Sequence, residues 1–470
     1  GDRMEQEATL YRQISRQLLQ DIYKGTYPYG TKLPSLQALC EQFGVGRNTI
    51  RAALALLEKD GALQREKGSC ARVSLDIHHL EKNRYFLYRM ACSRDGVAHV
   101  YDALGMLMPT AIHAALQHAD AQHLEELQFG IRQLTQKEHT LYELNEALQQ
   151  LYLKVLGFLG NAYLLDLTKQ LLDFLYLPYA KKENSEEALA DNKVKLSETL
   201  AKILLFVMQN NPFMMKKTIH YFCETTKKDS MRYLERICKG IHPQEGIEFE
   251  WYTGREVSFL YMKTAGSIVK DIAENRYPDG QLLNLEQLSE RYAVSLRTMR
   301  RTMKFLNDLQ LVETRNGLGS RIVYTSQQKI SSQQQEQLHP LLDYYICMLE
   351  LTELLAKATL SVCMERCTWK ELEGLAKEIQ EKKRLSPESV LFIIKHHENP
   401  CICNIAEQLE EAVCGSMLIR TLFGHEADEQ TQQDMKSLCQ TLRNRERRRA
   451  IQLMQSLLHN ETGSWKMKRC

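Results

Sequence analysis

The sequence predicts a mainly α-helical chain built as two similar halves, each opening with a small unit of three helices and a hairpin and continuing as an all-helical bundle. Three observations carry this. A residue pattern near the N-terminus returns 249 positions later. Long stretches of both halves space their apolar residues three and four apart, the helical period. Strand-forming pieces are confined to two short hairpins. At 470 residues the chain exceeds a single core, given roughly 100–200 residues per domain.

The first unit is laid out in order. An amphipathic helix is expected from Leu10 to Tyr23, then a turn around Pro28 and Gly30, then a second helix carrying Leu36, Leu39 and Phe43. A tight turn at Gly44-Val45 leads into a third helix from Arg47 through Leu57. Two short strands flanking Lys67-Gly68 close it as a hairpin. Helix, helix, turn, helix and hairpin together make a winged helix-turn-helix.

The second unit repeats that order. Leu288 answers Leu39, Val294 answers Val45, Thr298 answers Thr49, Arg300 answers Arg51, Leu306 answers Leu57 and Gly317 answers Gly68. A helix from Phe259 to Asn275 and a turn at Pro278 and Gly280 precede them, with one residue missing between Gly280 and Leu288. The expected domains are winged units at 8–76 and 255–326 and helical bodies at 80–245 and 330–462, in halves that divide near residue 245. In the bodies, apolar stripes run through His99–Leu116, Leu144–Leu159, Tyr163–Leu177, Leu196–Met208, Leu342–Leu360 and Met435–Leu458. The polar stretches Lys181–Asn192 and His425–Gln433 read as loops between helices.

Composition excludes several classes. A net charge of +2 from 61 basic and 59 acidic residues gives no global signal for nucleic acid, so any such signal is local. Thirteen cysteines without a CxxC pair or a leading apolar signal segment read as reduced thiols of the cytoplasm. The apolar run Ala201–Met208, interrupted by Lys202, is far too short to span a membrane. No glycine-rich phosphate loop and no nucleophile elbow occurs, so no enzyme is expected. A fused aminotransferase-like domain would add strands and a Schiff-base lysine, and neither is visible.

The local signal lies on the third helix of each unit. A reading helix places short polar residues at its N-terminus, near base edges, and long cations just beyond. Arg47, Asn48 and Thr49 lead the first such helix, and Arg51 shares a face with Arg47 one turn on. Residues 290–304 set Arg291, Arg297, Arg300, Arg301 and Lys304 against Glu290 alone, a local net of +4. A solvated helix face is the competing explanation for such a cluster.

Residues 10–73, with Leu33-Pro34-Ser35, Val45-x-Arg47-x-Thr49-x-Arg51, Asp60-Gly61 and Gly68-Ser69, resemble the DNA-binding domain of the GntR family of bacterial transcription factors. Residues 259–323 resemble it more distantly, with Asn284 near the place of Pro-Ser, Leu296 where the family has the first arginine of the reading helix, and Gln310 where it has glycine. The resemblance implies DNA contact by Ser35, Arg47, Asn48, Thr49 and Arg51, by Gln37 in the place of a family arginine, and by Lys67 and Gly68 in the minor groove. In the second unit it implies contact by Arg297, Thr298, Arg300, Arg301, Lys304 and Gly317.

The helical bodies resemble the FadR C-terminal-like effector domain of the same family, on Tyr152-Leu153, Phe158-Leu159-Gly160-Asn161-Ala162-Tyr163-Leu164 and, faintly, His397-Glu398-Asn399-Pro400. That resemblance implies a bundle holding a divalent metal and an arginine that catches a carboxylate. The ligand places here hold Leu148, Tyr152, Leu200 and Phe222 in one body and Ser386, Val390, Met435 and Leu457 in the other, with Leu104 and Ile346 at the arginine's place. Apolar side chains do not ligate cations, so no metal or cofactor is expected. An effector, if one binds, is then an apolar or amphipathic small molecule. Tyr152 and Phe158 are the candidate contacts, beside Phe206 and Met208, with a plain helical core as the alternative.

Three further clusters are weighed against structure. His396, His397, Cys401 and Cys403 read as a polar loop rather than a zinc site, and Cys363 and Cys367 as helix core. Arg443, Arg445, Arg447, Arg448 and Arg449 read as a solvated helix face. The expected function is sequence-specific binding of double-stranded operator DNA, with one chain imitating both subunits of a dimer or forming a homodimer. The alternative is a second winged unit that docks protein.

Overall fold

The computed structural model describes residues 2–65, 70–76, 79, 83–136, 141–176, 186–253, 256–277, 280–315, 319–325, 330–424 and 428–469. Two units emerge from it. One comprises residues 1–160, 165–252 and 399–401; the other comprises 161–164, 253–398 and 402–470. Among the described residues, no helix is long and apolar enough to cross a membrane.

The first unit opens with α1 (Asp2–Tyr23), α2 (Leu36–Phe43) and α3 (Arg47–Lys59), followed by the antiparallel pair β1 (Leu63–Gln64) and β2 (Arg72–Val73). Helix α1 starts earlier than the apolar spacing predicts, because residues 2–9 are rich in good helix formers. Leu18 and Ile22 of α1 are buried, as are Leu39 of α2 and Ile50, Ala53 and Leu57 of α3, which packs on α1. Gly44 ends α2 at φ +64°, a left-handed conformation that costs glycine least.

Four long helices and two shorter ones complete this part of the chain: α4 (Arg84–Gln117), α5 (Ala121–Gln136), α6 (Leu141–Gly157), α7 (Ala162–Phe174), α8 (Glu186–Met208) and α9 (Pro212–Ile237). Helix α4 packs along α9, and a core of Ala115, Leu127, Leu134, Leu144, Leu151, Val155 and Leu196 joins α4, α5, α6 and α8. Helix α8 takes in Glu186–Asn192, part of the stretch expected to be loop, since Glu and Ala favour helix without an apolar stripe. Two ion pairs are among the contacts that fix α1–α3 onto this body. Arg89 of α4 bonds Asp60 beyond α3 (3.1 Å), and Lys24 after α1 bonds Asp173 of α7 (2.6 Å).

Residues 241–252 form no helix or strand; 242–246 are exposed, but 247–252 are packed as a strap. Phe249 and Trp251 are buried, and Phe249 meets Phe174 edge-on at 5.8 Å. Gln170 holds Tyr252 by two hydrogen bonds (2.7 and 3.1 Å), Glu248 pairs with His99 (3.0 Å), and Glu250 with Arg16 of α1 (3.4 Å). Gly96 of α4 permits this course, because a Cβ there would stand 2.2 Å from the Ile247 carbonyl oxygen.

The second unit opens with α10 (Glu256–Ala273), β3 (Leu282–Leu283), α11 (Leu285–Arg291), α12 (Leu296–Asp308), β4 (Val312–Arg315) and β5 (Gly319–Ile322), the strands ordered β3-β5-β4. Helices α3 and α12 are both 13 residues long. The left-handed positions recur with them: Gly25, Gly44 and Gly61 have their counterparts in Asn275, Ala293 and Gln310, at φ +57°, +52° and +56°. The hydrogen bond from Val45 N to Cys40 O returns as Val294 N to Ser289 O. Helix α10 stops at Ala273, short of the expected Asn275, because Asn275 turns left-handed.

An alanine in the left-handed region is strained by about 1–2 kcal/mol, partly offset by the extra chain entropy that glycine loses on folding. Ala293→Gly is therefore expected to raise stability by roughly 0.5–1 kcal/mol, and Gly44→Ala to lower it by a similar amount. Denaturant midpoints of the two variants test this; equal and opposite shifts are expected.

The rest of the second unit is α13 (Ser332–Arg366), α14 (Trp369–Lys382), α15 (Pro387–Ile394), α16 (Pro400–Gly415), α17 (Met417–Phe423), α18 (Glu429–Arg443) and α19 (Arg447–Met467). Helix α17 lies against α10 so closely that a Cβ on Gly266 would stand 2.7 Å from the Leu418 backbone nitrogen. Arg420 of α17 bonds Glu388 of α15 through two hydrogen bonds (3.1 and 2.6 Å). The expected helix through Met435–Leu458 is broken into α18 and α19, with Arg445 at φ +64° in the turn. Residues Glu429–Gln433, expected as loop, are the first turns of α18, capped by Asp428.

Candidate nucleic-acid interface

Helix α3 is aimed by its buried face. With Ile50, Ala53, Leu54 and Leu57 inward, its leading residues Arg47, Asn48 and Arg51 are exposed and Thr49 half-buried. Gly46 precedes it without a side-chain cap. None of Arg47, Asn48, Thr49 and Arg51 spends its side chain on a hydrogen bond or ion pair with the described residues. Ser35 caps α2, its Oγ accepting the Ala38 N–H at 3.2 Å, while exposed Gln37 donates to Glu41 (3.1 Å). Lys67 and Gly68 lie outside the described residues, as does Gly317. Exposed cations that the motif reading passed over flank this hairpin: Lys32 bridges to Arg72, whose guanidinium bonds the Gly30 carbonyl.

Helix α12 has the same frame and a different surface. Met299, Thr302, Met303 and Leu306 are buried, leaving Arg297, Arg300, Arg301 and Lys304 exposed. Arg301 lies over the Tyr261 ring at 4.1 Å, so its charge is held back against α10. Ser295 caps α12, its Oγ 3.1 Å from the Thr298 nitrogen and 2.9 Å from the Thr298 hydroxyl. Asn284 stands in for Ser35, its Oδ1 accepting the Glu286 and Gln287 N–H groups at 2.8 and 3.1 Å. Arg291 turns inward to Asp271 (3.1 Å) and stacks on Tyr277. Its charge thus does not join the exposed cluster.

In the helical bodies, Leu148, Leu200, Phe222 and Phe158 pack against the apolar core of the first, and Val390, Met435 and Leu457 are buried in the second. Ser386 caps α15. Tyr152 places its hydroxyl inside the first body without a hydrogen-bond partner among the described residues, and burial pushes that phenol well above its ordinary value. Burial likewise lifts the Cys223 thiol to about 12. Phe158 stacks against His123 at 4.4 Å. Met208 is 76% exposed, which removes it from the expected pocket lining; it ends α8, where no following turn covers it. Among the described residues, no three His, Cys, Asp or Glu side chains gather as a metal site. Asn161 and Asn399, singled out in the two resembling segments, each cap a helix start, accepting the N–H groups of Tyr163 and Leu164 and of Cys401. Cys401 is buried, and the Cys403 thiol donates to the His397 carbonyl (3.0 Å). The arginine run occupies the α18–α19 turn instead of one helix face. Arg445 and Arg447 lie over Trp369, and Arg447 bonds the Cys367 carbonyl.

Residues 10–73 match the family described as bacterial regulatory proteins, gntR family. They form a GntR-family helix-turn-helix domain. The GntR domain also carries the likeness to curated relatives. It is 41% identical over 59 residues to the Uxu operon regulator of Haemophilus influenzae, covering 13% of this chain and 22% of that protein. It is 42% identical over 59 residues to a probable fructoselysine utilization operon transcriptional repressor of Escherichia coli, covering 13% and 24%. The chain thus spans less than a quarter of the length of these relatives. A longer match, 23% identical over 198 residues, covers 41% of this chain and 81% of the uncharacterized HTH-type transcriptional regulator YdhC of Bacillus subtilis. Among solved structures, a Streptococcus agalactiae GntR protein aligns over 47% of this chain and all of its own, at 18% identity and a TM-score of 0.22.

Proposed function

We propose that the chain is a sequence-specific, DNA-binding transcriptional regulator of the GntR type that reads two unlike half-sites with one polypeptide. In this reading residues 8–76 and 255–326 are winged helix-turn-helix domains, and residues 80–245 and 330–462 are helical effector domains. The GntR domain supplies the first reading head through Arg47, Asn48, Thr49 and Arg51, with Ser35, Gln37, Lys67 and Gly68 at its edges. The observation that carries the second is α12. It matches α3 in length and follows a turn with a left-handed residue at the same position, and it exposes Arg297, Arg300 and Lys304 with no acidic partner among the described residues. Thr298, Arg301 and Gly317 complete that head.

The two helices keep Thr49/Thr298 and Arg51/Arg300 but differ at Arg47/Leu296 and Asn48/Arg297, so the operator is not a true palindrome. The cations contribute the salt-dependent part of the affinity, and base contacts the specific part. Control by an apolar or amphipathic small molecule falls to the first helical body, where the unpartnered Tyr152 hydroxyl supplies a polar contact inside an apolar core beside Phe158. Cytoplasmic operation on operator DNA follows from the same reading.

Footprinting with light scattering of the complex tests the pseudo-dimer. One chain per operator is expected, protecting two unlike half-sites, and replacing Arg297, Arg300 and Arg301 by alanine should weaken only one of them. Two chains on a symmetric site would overturn the single-chain arrangement. Exposed Leu296 favours a second reading, in which α12 docks a protein; full operator affinity in the triple variant would carry it.

A further inference from the structure

We propose that Leu296 reads the 5-methyl group of a thymine, at the point where its counterpart Arg47 offers a guanidinium to the other half-site. This rests on the reading of α12 as a DNA-contacting helix. Leu296 is the first residue of α12 and is 38% exposed, although Met299, Met303 and Leu306 fill the core face of the same helix. It lies four residues before Arg300, as Arg47 lies four before Arg51, so each pair shares one flank of its helix. More than a third of this leucine's surface is left open on that flank, available to a partner of the helix.

The residues beside it have changed in the same sense. In α3 the preceding residue is Gly46, which commits no side chain to the helix start. In α12 it is Ser295, which binds both the backbone nitrogen and the hydroxyl of Thr298. The Thr298 hydroxyl is therefore occupied within the cap, whereas the Thr49 hydroxyl is not. The first position of α12 thus offers methyl groups where α3 offers a guanidinium, with the exposed Arg297 beside it and Arg300 one turn on. In unmodified DNA the one apolar group on a major-groove base edge is the thymine methyl. A leucine at the tip, flanked by arginines long enough to reach phosphates, fits that edge.

The test uses the full chain and an operator selected from random duplexes. Each thymine of the half-site protected through α12 is replaced singly by deoxyuridine, which removes the methyl and keeps the pairing. At one position the exchange is expected to weaken binding about four-fold, the worth of one buried methyl group. The loss should vanish in Leu296→Ala, and Leu296→Arg should shift preference at that position towards guanine. Both variants alter an exposed side chain, and circular dichroism checks their folding. If no uracil exchange matters, or if the loss persists in Leu296→Ala, the proposal is wrong. If Arg297→Ala and Arg300→Ala also leave protection unchanged, α12 is not on DNA and the wider reading falls with it. Weakening by those two variants alongside indifference to uracil overturns the role of Leu296 alone.

Discussion

Arg47→Ala is expected to cost about 1–3 kcal/mol of binding to the selected operator and much less on unrelated duplex. The guanidinium stands at the first position of α3, exposed and without an ion pair or hydrogen bond to the described residues, so the free protein loses nothing by its removal. An arginine at this place can meet guanine O6 and N7 with two donors, and the loss then falls on one base pair. Titrations on the operator, on the operator changed at that pair, and on unrelated DNA separate the cases. Equal losses on all three would mean that Arg47 touches only phosphate. A loss confined to the intact operator would give it a base.

The second large effect concerns stability. Arg420 of α17 is 7% exposed and holds Glu388 of α15 through a two-pronged contact. Burial would raise the Glu388 carboxyl, but the Arg420 guanidinium outweighs it and holds the carboxyl below 4.5. Removing Arg420 leaves the partly buried Glu388 carboxylate without its main partner, so Arg420→Ala is expected to cost about 2–3 kcal/mol, below the figure for a fully buried pair. The pH dependence follows in sign. A carboxyl depressed on folding gives stability that is complete above its unfolded value, near 4.5, and drains away as pH falls through the lower folded value. Acid titration of the native chain should show that loss, and Arg420→Ala should flatten it. Because α17 lies against α10, the variant should also loosen the α10–α12 unit, read as faster amide exchange there. Unchanged thermal stability would refute the assignment.

The sequence placed α2, α3 and the turn between them well because punctuation there is chemical. Ser35 caps, Gly44 turns left-handed and the apolar spacing is unbroken. It placed the helical bodies less well. Glu186–Asn192 and Glu429–Gln433 are helical without an apolar stripe, the first on helix propensity and the second with Asp428 as its cap. The break at Arg445 is equally hidden, because no glycine or proline marks the turn, in which an arginine takes the left-handed conformation and α19 folds back on α18. At the interface, residue types identified the exposed cations of α12. They did not reveal that Arg291 is spent on Asp271 or that Arg301 rests on Tyr261, since those partners come from α10. Ser295 was legible as a capping residue only once Thr298 was seen to bond it.

The strap of residues 247–252 changes where the first half of this protein ends. By composition it is an ordinary connector, and a fragment cut at residue 245 would look reasonable. Such a cut would leave Phe174 and Gln170 facing empty sockets in one fragment and hang Phe249 and Trp251, two buried rings, in water on the other. Each ring stabilises its site by roughly 1.5–3 kcal/mol through burial alone, a sizeable share of what a domain has to spare. A fragment that keeps the first half whole therefore has to run on to Tyr252, although residues 242–246 themselves are exposed and open to a protease.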